Sequence, residues 1–195
     1  MSIFDIKKIA GKLPAGKRRT GIMIAVDGGS GSGKTKLAEE WKAYDDSVSI
    51  IGLDDLHIPV PDSVLDKRTP LDNFNTAFDI KYITDKILKP LRAGKAARFK
   101  ILNPEAANAG KIRIVKPHGI VIVEGVYSLR PQWKEFFDFR IWIKMDERRR
   151  LQSMKKRGAN TTGQMKCWQK TEKWYIKTFK PETLADLTVS GRSCR

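Results

Sequence analysis

Gly21-Ile22-Met23-Ile24-Ala25-Val26-Asp27-Gly28-Gly29-Ser30-Gly31-Ser32-Gly33-Lys34-Thr35 is the stretch whose reading decides the fold. An apolar run this short, closed by glycines, suits a buried strand of a parallel sheet. Beyond Gly33, residues Leu37, Ala38, Trp41 and Tyr44 recur at spacings of three and four, which puts them on one face of a helix. The order is strand, glycine-rich loop, helix.

Gly28 to Thr35 matches G-x-x-x-x-G-K-[ST] without a mismatch, and its place between a strand and a helix is the context that confirms this phosphate-binding P-loop. Gly28, Gly29, Gly31 and Gly33, with Ser30 and Ser32 between them, let successive backbone N–H groups turn inward around a phosphate. The helix start adds partial positive charge there, Lys34 is the side chain that reaches the β- and γ-phosphates, and Thr35 offers a hydroxyl to Mg²⁺.

Working outward, Val48–Leu53, Gly119–Glu124, Phe137–Ile143 and Ala185–Val189 read as further strands. Ile80, Ile83, Ile87 and Leu91 form the stripe of a helix that Pro90 ends or kinks. Basic helix 146–157 and a helix over about 162–178, carrying Trp168, Trp174 and Tyr175, follow, and the tryptophans read first as core packing. The segment 59–76, with prolines at 59, 61 and 70, reads as a long loop. Alternating strands and helices predict an α/β fold of the P-loop NTPase type: a five-stranded, mostly parallel sheet flanked by helices, with a basic helical lid. One domain is expected over residues 1–195, with a basic extension at 1–20 and the lid at about 146–165.

The chain has 195 residues with 38 Lys+Arg against 22 Asp+Glu, a net charge of +16 that draws anionic partners. Its apolar stretches fall well short of the roughly 18 residues that span a bilayer, and residues 1–20 lack a signal-peptide core, so a cytoplasmic protein without membrane attachment is expected. Cys167 and Cys194 have no metal-ligand spacing.

A P-loop enzyme needs a carboxylate on a neighbouring strand to organise its metal, and a kinase needs a base beside the acceptor hydroxyl. Glu124 ends Ile120-Val121-Ile122-Val123 at the strand tip where ligands of open α/β sheets bind, and is the expected metal-organising group. Asp54 and Asp55 end Ile50-Ile51-Gly52-Leu53 in the same way; either is placed to accept a proton from an attacking alcohol, or to cap a turn. His57 follows as a substrate-binding candidate or loop filler. The cationic run Arg148-Arg149-Arg150 and Lys155-Lys156-Arg157 supplies charge for a transferring phosphoryl group, with Arg149 and Arg157 on roughly one helix face and Arg148 and Arg150 turned elsewhere.

Gly28–Thr35, Leu53-Asp54-Asp55, the run Ile120 to Arg130 and Ala185-Asp186-Leu187 together resemble the uridine kinase and phosphoribulokinase family of P-loop kinases. The resemblance implies ATP- and Mg²⁺-dependent phosphorylation of a small-molecule hydroxyl, nucleoside-like in the expected case. It also implies that Asp54 matches the catalytic aspartate, Glu124 the acidic residue of V-E-G, and Arg149 and Arg157 the lid arginines. His57 stands where uridine kinases carry an aromatic residue. Asn73-Phe74-Asn75-Thr76-Ala77-Phe78-Asp79 is similar to a nucleoside-binding segment, which makes Phe74 and Asn75 substrate-binding candidates, although Asn75 and Thr76 replace its acidic and histidine positions. The competing reading is a nucleic-acid-linked P-loop protein such as a polynucleotide-end kinase, motivated by the net charge and the basic stretches 95–100 and 148–156. A GTP-dependent switch would need an Asn-Lys-x-Asp segment, and the chain has none.

Overall fold

The computed structural model describes residues 9, 11–13, 21–65, 67–156 and 163–191. Strand β1 (Ile22–Gly28) leads through the glycine loop into helix α1 (Lys34–Tyr44), and β2 (Val48–Gly52) runs into a 3₁₀ turn (Leu53–Leu56). Short helices α2 (Asp62–Leu65) and α3 (Pro70–Thr76) come next. Then α4 (Ile80–Ile83), a π turn (Thr84–Leu88) and α5 (Lys89–Arg92) form one continuous helical rod. The hairpin β3 (Ala97–Lys100) and β4 (Ile112–Val115) precedes β5 (Ile120–Glu124) and β6 (Phe139–Lys144). Helices α6 (Glu147–Lys156), α7 (Gly163–Phe179) and α8 (Pro181–Leu184) and strand β7 (Leu187–Ser190) complete the described chain.

The main sheet has the order β2-β5-β1-β6-β7, with every pairing parallel. Successive residues of β1 feed opposite layers, as strand geometry requires. Ile24 and Val26 pack with Leu37, Ala38 and Trp41 of α1. Met23 and Ala25 face the layer that holds Phe74, Ile83, Ile87 and Tyr175. Covered on both faces, the strands can be the near-continuous apolar runs that the sequence shows. Glu124 is paired beside Val26 of β1 on one side and Gly52 of β2 on the other, so the tips of the three strands lie at one edge with the glycine loop.

Three sequence expectations are revised. Segment 59–76 is not a plain loop. Thr69 caps α3 through a capping box, its hydroxyl accepting from the Asp72 N–H (3.1 Å) while the Thr69 N–H donates to the Asp72 carboxylate (3.1 Å), and Pro70 occupies the first turn. Pro90 does not end its helix. The rod widens into the π turn just upstream, which relieves the clash of a proline ring with the carbonyl four residues back, and α5 continues to Arg92. The hairpin β3–β4 was not expected at all: Ala97–Lys100 alternates buried and exposed residues but over only four positions, and in β4 Ile112 and Ile114 face outward, against the usual polar-out pattern.

Trp41 is fully buried between α1 and the sheet, and its indole N–H has no partner. Trp41→Ala is expected to cost about 3–5 kcal/mol, read as a lower urea midpoint at unchanged slope. Trp41→Phe, which discards the unpaired N–H and keeps most of the volume, should cost clearly less.

Candidate active site

The loop Gly28–Thr35 closes on itself in the way its residue types dictate. Gly33 caps α1 in the left-handed region (φ 97°), a conformation that favours glycine. The Lys34 ammonium, 8% exposed, donates to the carbonyls of Gly28 (2.9 Å) and Gly29 (3.2 Å). The Thr35 hydroxyl donates to Glu124 Oε1 at 3.0 Å. The two expected metal-holding groups are therefore together. A hydroxyl and a carboxylate are hard oxygen donors that fit Mg²⁺, an ion bound through one or two carboxylates with phosphate and water completing the shell. Among the described residues no group of three or more His, Cys, Asp or Glu side chains is placed to hold a metal ion. Burial, opposed by the Lys34 charge, pushes the Glu124 carboxyl up to about 7.

A cleft of about 310 Å³ opens beside the loop, lined by Ser30, Asp54, His57, Ala77, Phe78, Asn103, Val126, Tyr127, Trp168 and Glu172. Asp54 and Asp55, open alternatives from sequence, differ here. The Asp54 carboxylate is exposed towards this space while the Asn103 amide donates to its main-chain carbonyl (2.8 Å). Asp55 is paired with Arg113 (3.6 Å) and its carbonyl accepts from the Leu102 and Asn103 N–H groups. His57 stands edge-on to Trp168 (4.7 Å between ring centres) and Phe78 (6.1 Å), and its Nε2 is buried without a partner. Burial lowers its pKa, so the ring is neutral at pH 7. Trp168 is thus a wall of the cleft as well as a neighbour of the core, whereas Trp174 packs on Phe74 and Phe179.

Phe74 and Asn75 do not line the cleft. Phe74 is 1% exposed, stacked on Tyr175 (5.5 Å) and covered by the Arg130 guanidinium at 4.3 Å, because the apolar side of α3 must face the core. Asn75, on the other side of that short helix, is exposed. The cationic helix also differs from expectation. Arg149 is exposed, and its backbone N–H bonds Asp146. Arg150, expected to point elsewhere, reaches the loop: its Nη1 donates to the Ser30 carbonyl (3.0 Å) and to Glu172 (2.5 Å). Arg157 lies outside the described residues, as does the expected extension apart from residues 9 and 11–13.

Sequence reasoning missed Asp27, Asn103, Tyr127 and Glu172. Asp27 is fully buried at the end of β1. Its carboxylate accepts from the N–H groups of Gly28 (2.6 Å), Tyr127 (3.2 Å) and Leu129 (3.0 Å) and from the Tyr175 hydroxyl (2.8 Å). A charged residue ending an apolar run directly before the glycine loop was the available signal. Glu172, one acid in a basic helix, carried none.

No protein-family model matches the chain. A uridine kinase of Clostridium novyi (strain NT) is 30% identical over 151 residues, 70% of each chain. A uridine kinase of Limosilactobacillus reuteri (strain DSM 20016) is 29% identical over 137 residues, 65% of this chain and 60% of the relative, so the match leaves a substantial part of that relative uncovered. A solved structure from Bacillus stearothermophilus, described as "a Possible Uridine Kinase", superposes with a TM-score of 0.70 at 22% identity over 94% of both chains, a likeness of fold.

Asp27 and Glu124 give the unliganded protein a definite pH response. Burial raises both carboxyls, to about 6 and about 7 from ordinary values of 3.8 and 4.5, so the folded state holds protons that the unfolded chain releases. Their stabilising contribution is complete below the ordinary values and is lost as pH rises through 6 and 7. Urea midpoints should therefore decline over that window, and Glu124→Gln, uncharged throughout, should flatten its upper part. The loop, the Thr35–Glu124 pair, the parallel sheet order and the 30% identity across 70% of a uridine kinase agree, and the chain belongs to the uridine kinase-like family of P-loop kinases.

Proposed function

We propose that the chain, acting as one kinase domain, transfers the γ-phosphoryl group of ATP, with Mg²⁺, to a hydroxyl of an uncharged, ring-bearing small molecule of the nucleoside kind. The observation that carries this reading is the cleft beside the glycine loop. It combines an exposed carboxylate, Asp54, with Ser30 of the loop and a wall of His57, Phe78, Tyr127 and Trp168, and none of the described lining residues is Lys or Arg. Aromatic rings suit a flat or apolar-faced acceptor. Asp54, exposed towards the cleft, repels an acceptor that already bears a phosphate or carboxylate, whereas the Glu172 charge is paired with Arg150. The polynucleotide-end kinase reading is less supported for the same reason, since a phosphodiester chain would have to enter beside Asp54. Among the described residues no helix is long and apolar enough to cross a membrane.

In this mechanism Lys34 leaves the Gly28 and Gly29 carbonyls for the phosphates, and the loop N–H groups hold the β-phosphate. Thr35 and Glu124 hold the metal, which when bound neutralises phosphate charge. Asp54 takes the proton of the acceptor hydroxyl as it attacks. His57, neutral and with Nε2 unpartnered, exchanges a hydrogen bond with the acceptor, and Asn103 fixes the Asp54 backbone. Arg149 and Arg157 contribute positive charge when the lid is engaged. Phe74 supports the acceptor wall through its ring against Tyr127 (5.2 Å) without touching the acceptor, and Asn75, exposed on the other side of α3, takes no part.

The test is ADP release with ATP and Mg²⁺ over nucleosides, sugar phosphates, small hydroxy acids and DNA or RNA 5′ ends. Turnover is expected with an uncharged acceptor. Turnover only with phosphorylated acceptors or nucleic-acid ends would overturn the reading. Lys34→Ala should lower kcat by about 10²- to 10³-fold, and Asp54→Asn should abolish transfer at near-normal ATP affinity. Trp168→Ala should raise the acceptor KM roughly fivefold with the ATP KM unchanged.

A further inference from the structure

The mouth of the glycine loop is occupied by the protein's own charges. Glu172 Oε2 accepts from the Ser30 N–H at 2.7 Å, and its Oε1 pairs with Arg150 Nη1 at 2.5 Å. The same Arg150 Nη1 donates to the Ser30 carbonyl, so both polar groups of the Ser30 backbone are taken. The arginine side chain is 11% exposed and the glutamate 5%. The fit is close. A Cβ on Gly29 would collide with the Arg150 guanidinium and the Glu172 carboxylate, and one on Gly31 would meet the Arg150 carbonyl at 2.6 Å and Met154 Cγ at 2.9 Å. Two helices, α6 and α7, thus clamp the loop through one ion pair.

A carboxylate on a loop N–H has the charge and acceptor chemistry of a phosphate oxygen. We propose that Glu172 is an internal occupant of the phosphate seat: it holds the loop closed against Arg150 in the empty enzyme and must leave before a nucleotide's phosphates can bind. Arrival of a polyphosphate then transfers the Ser30 N–H and the Arg150 guanidinium from the carboxylate to the ligand. The displaced Glu172 stays within the wall of the acceptor cleft, which it already lines. The latch lowers apparent nucleotide affinity by the fraction of molecules in which it is shut. It rests on Gly28–Thr35 being a phosphate seat and does not depend on which acceptor is used.

The test is calorimetric binding of tripolyphosphate and of ATP, without acceptor, to the wild-type chain, Glu172→Gln and Lys34→Ala. Glu172→Gln should bind both polyphosphates about tenfold more tightly than wild type. Its unliganded melting temperature should fall while the rise on adding tripolyphosphate grows, whereas a merely structural Glu172 would lower the melting temperature with and without ligand. Glu172→Asp, which withdraws the carboxylate by one methylene and keeps its charge, should move affinity in the same direction and carries the test if the glutamine variant does not fold. Lys34→Ala should bind both more weakly than wild type. Equal or weaker binding by both Glu172 variants would overturn the latch while leaving the seat intact. Binding by neither wild type nor the Glu172 variants would remove seat and latch together.

Discussion

A fully buried carboxylate holds the site together. Asp27 ends the central strand, and its two oxygens gather three backbone N–H groups and the Tyr175 hydroxyl. These partners come from the start of the glycine loop, from the segment after β5 and from α7. Burial makes such a carboxylate costly, and four donors with Lys34 nearby offset part of that cost. The segment after β5 needs the help, since Tyr127 sits at φ 73°, a left-handed conformation unusual for a tyrosine. Its N–H on Asp27 and its ring against Phe74 and Tyr175 keep it there. The glycine loop, the segment after β5 and α7 therefore share one anchor, and the apolar layers position that anchor.

The charge of the chain and the charge of the cleft run in opposite senses. The net +16 favours the approach of polyanions over the whole surface. The cleft beside the loop instead exposes the Asp54 carboxylate, and its other acid, Glu172, is paired with Arg150. The long-range field and the local lining of the cleft thus differ in sign.

Much of the fold was legible because the strands are covered on both faces. Ile22–Val26, Ile120–Val123 and Phe139–Ile143 are apolar runs for that reason, and the glycine loop fixes which end of the sheet binds. Thr35 and Glu124 were legible as a pair because each ends or begins an element at that edge. Other features depend on contacts distant in sequence. Phe74 reads as a nucleoside contact by local similarity, yet the stacking of α3 on α7 turns it inward. Arg150 and Arg149 are adjacent in a basic run, and only the packing of α6 on Gly31 selects which one reaches the loop. The hairpin β3–β4 alternates in β3 over only four residues, and in β4 two isoleucines face outward, so no long period-two pattern marks it. Glu172 is set by a partner 142 residues away, a separation that no local pattern encodes.

Trp168, Glu172 and Tyr175 follow at spacings of four and three along α7, so one helical face touches the acceptor wall, the loop mouth and the Asp27 anchor within about 10 Å of axis. A rigid rod cannot move one of these contacts without moving the others. Any shift that frees the loop mouth also reshapes the wall beside Asp54, and any molecule that pushes on Trp168 is felt at Ser30.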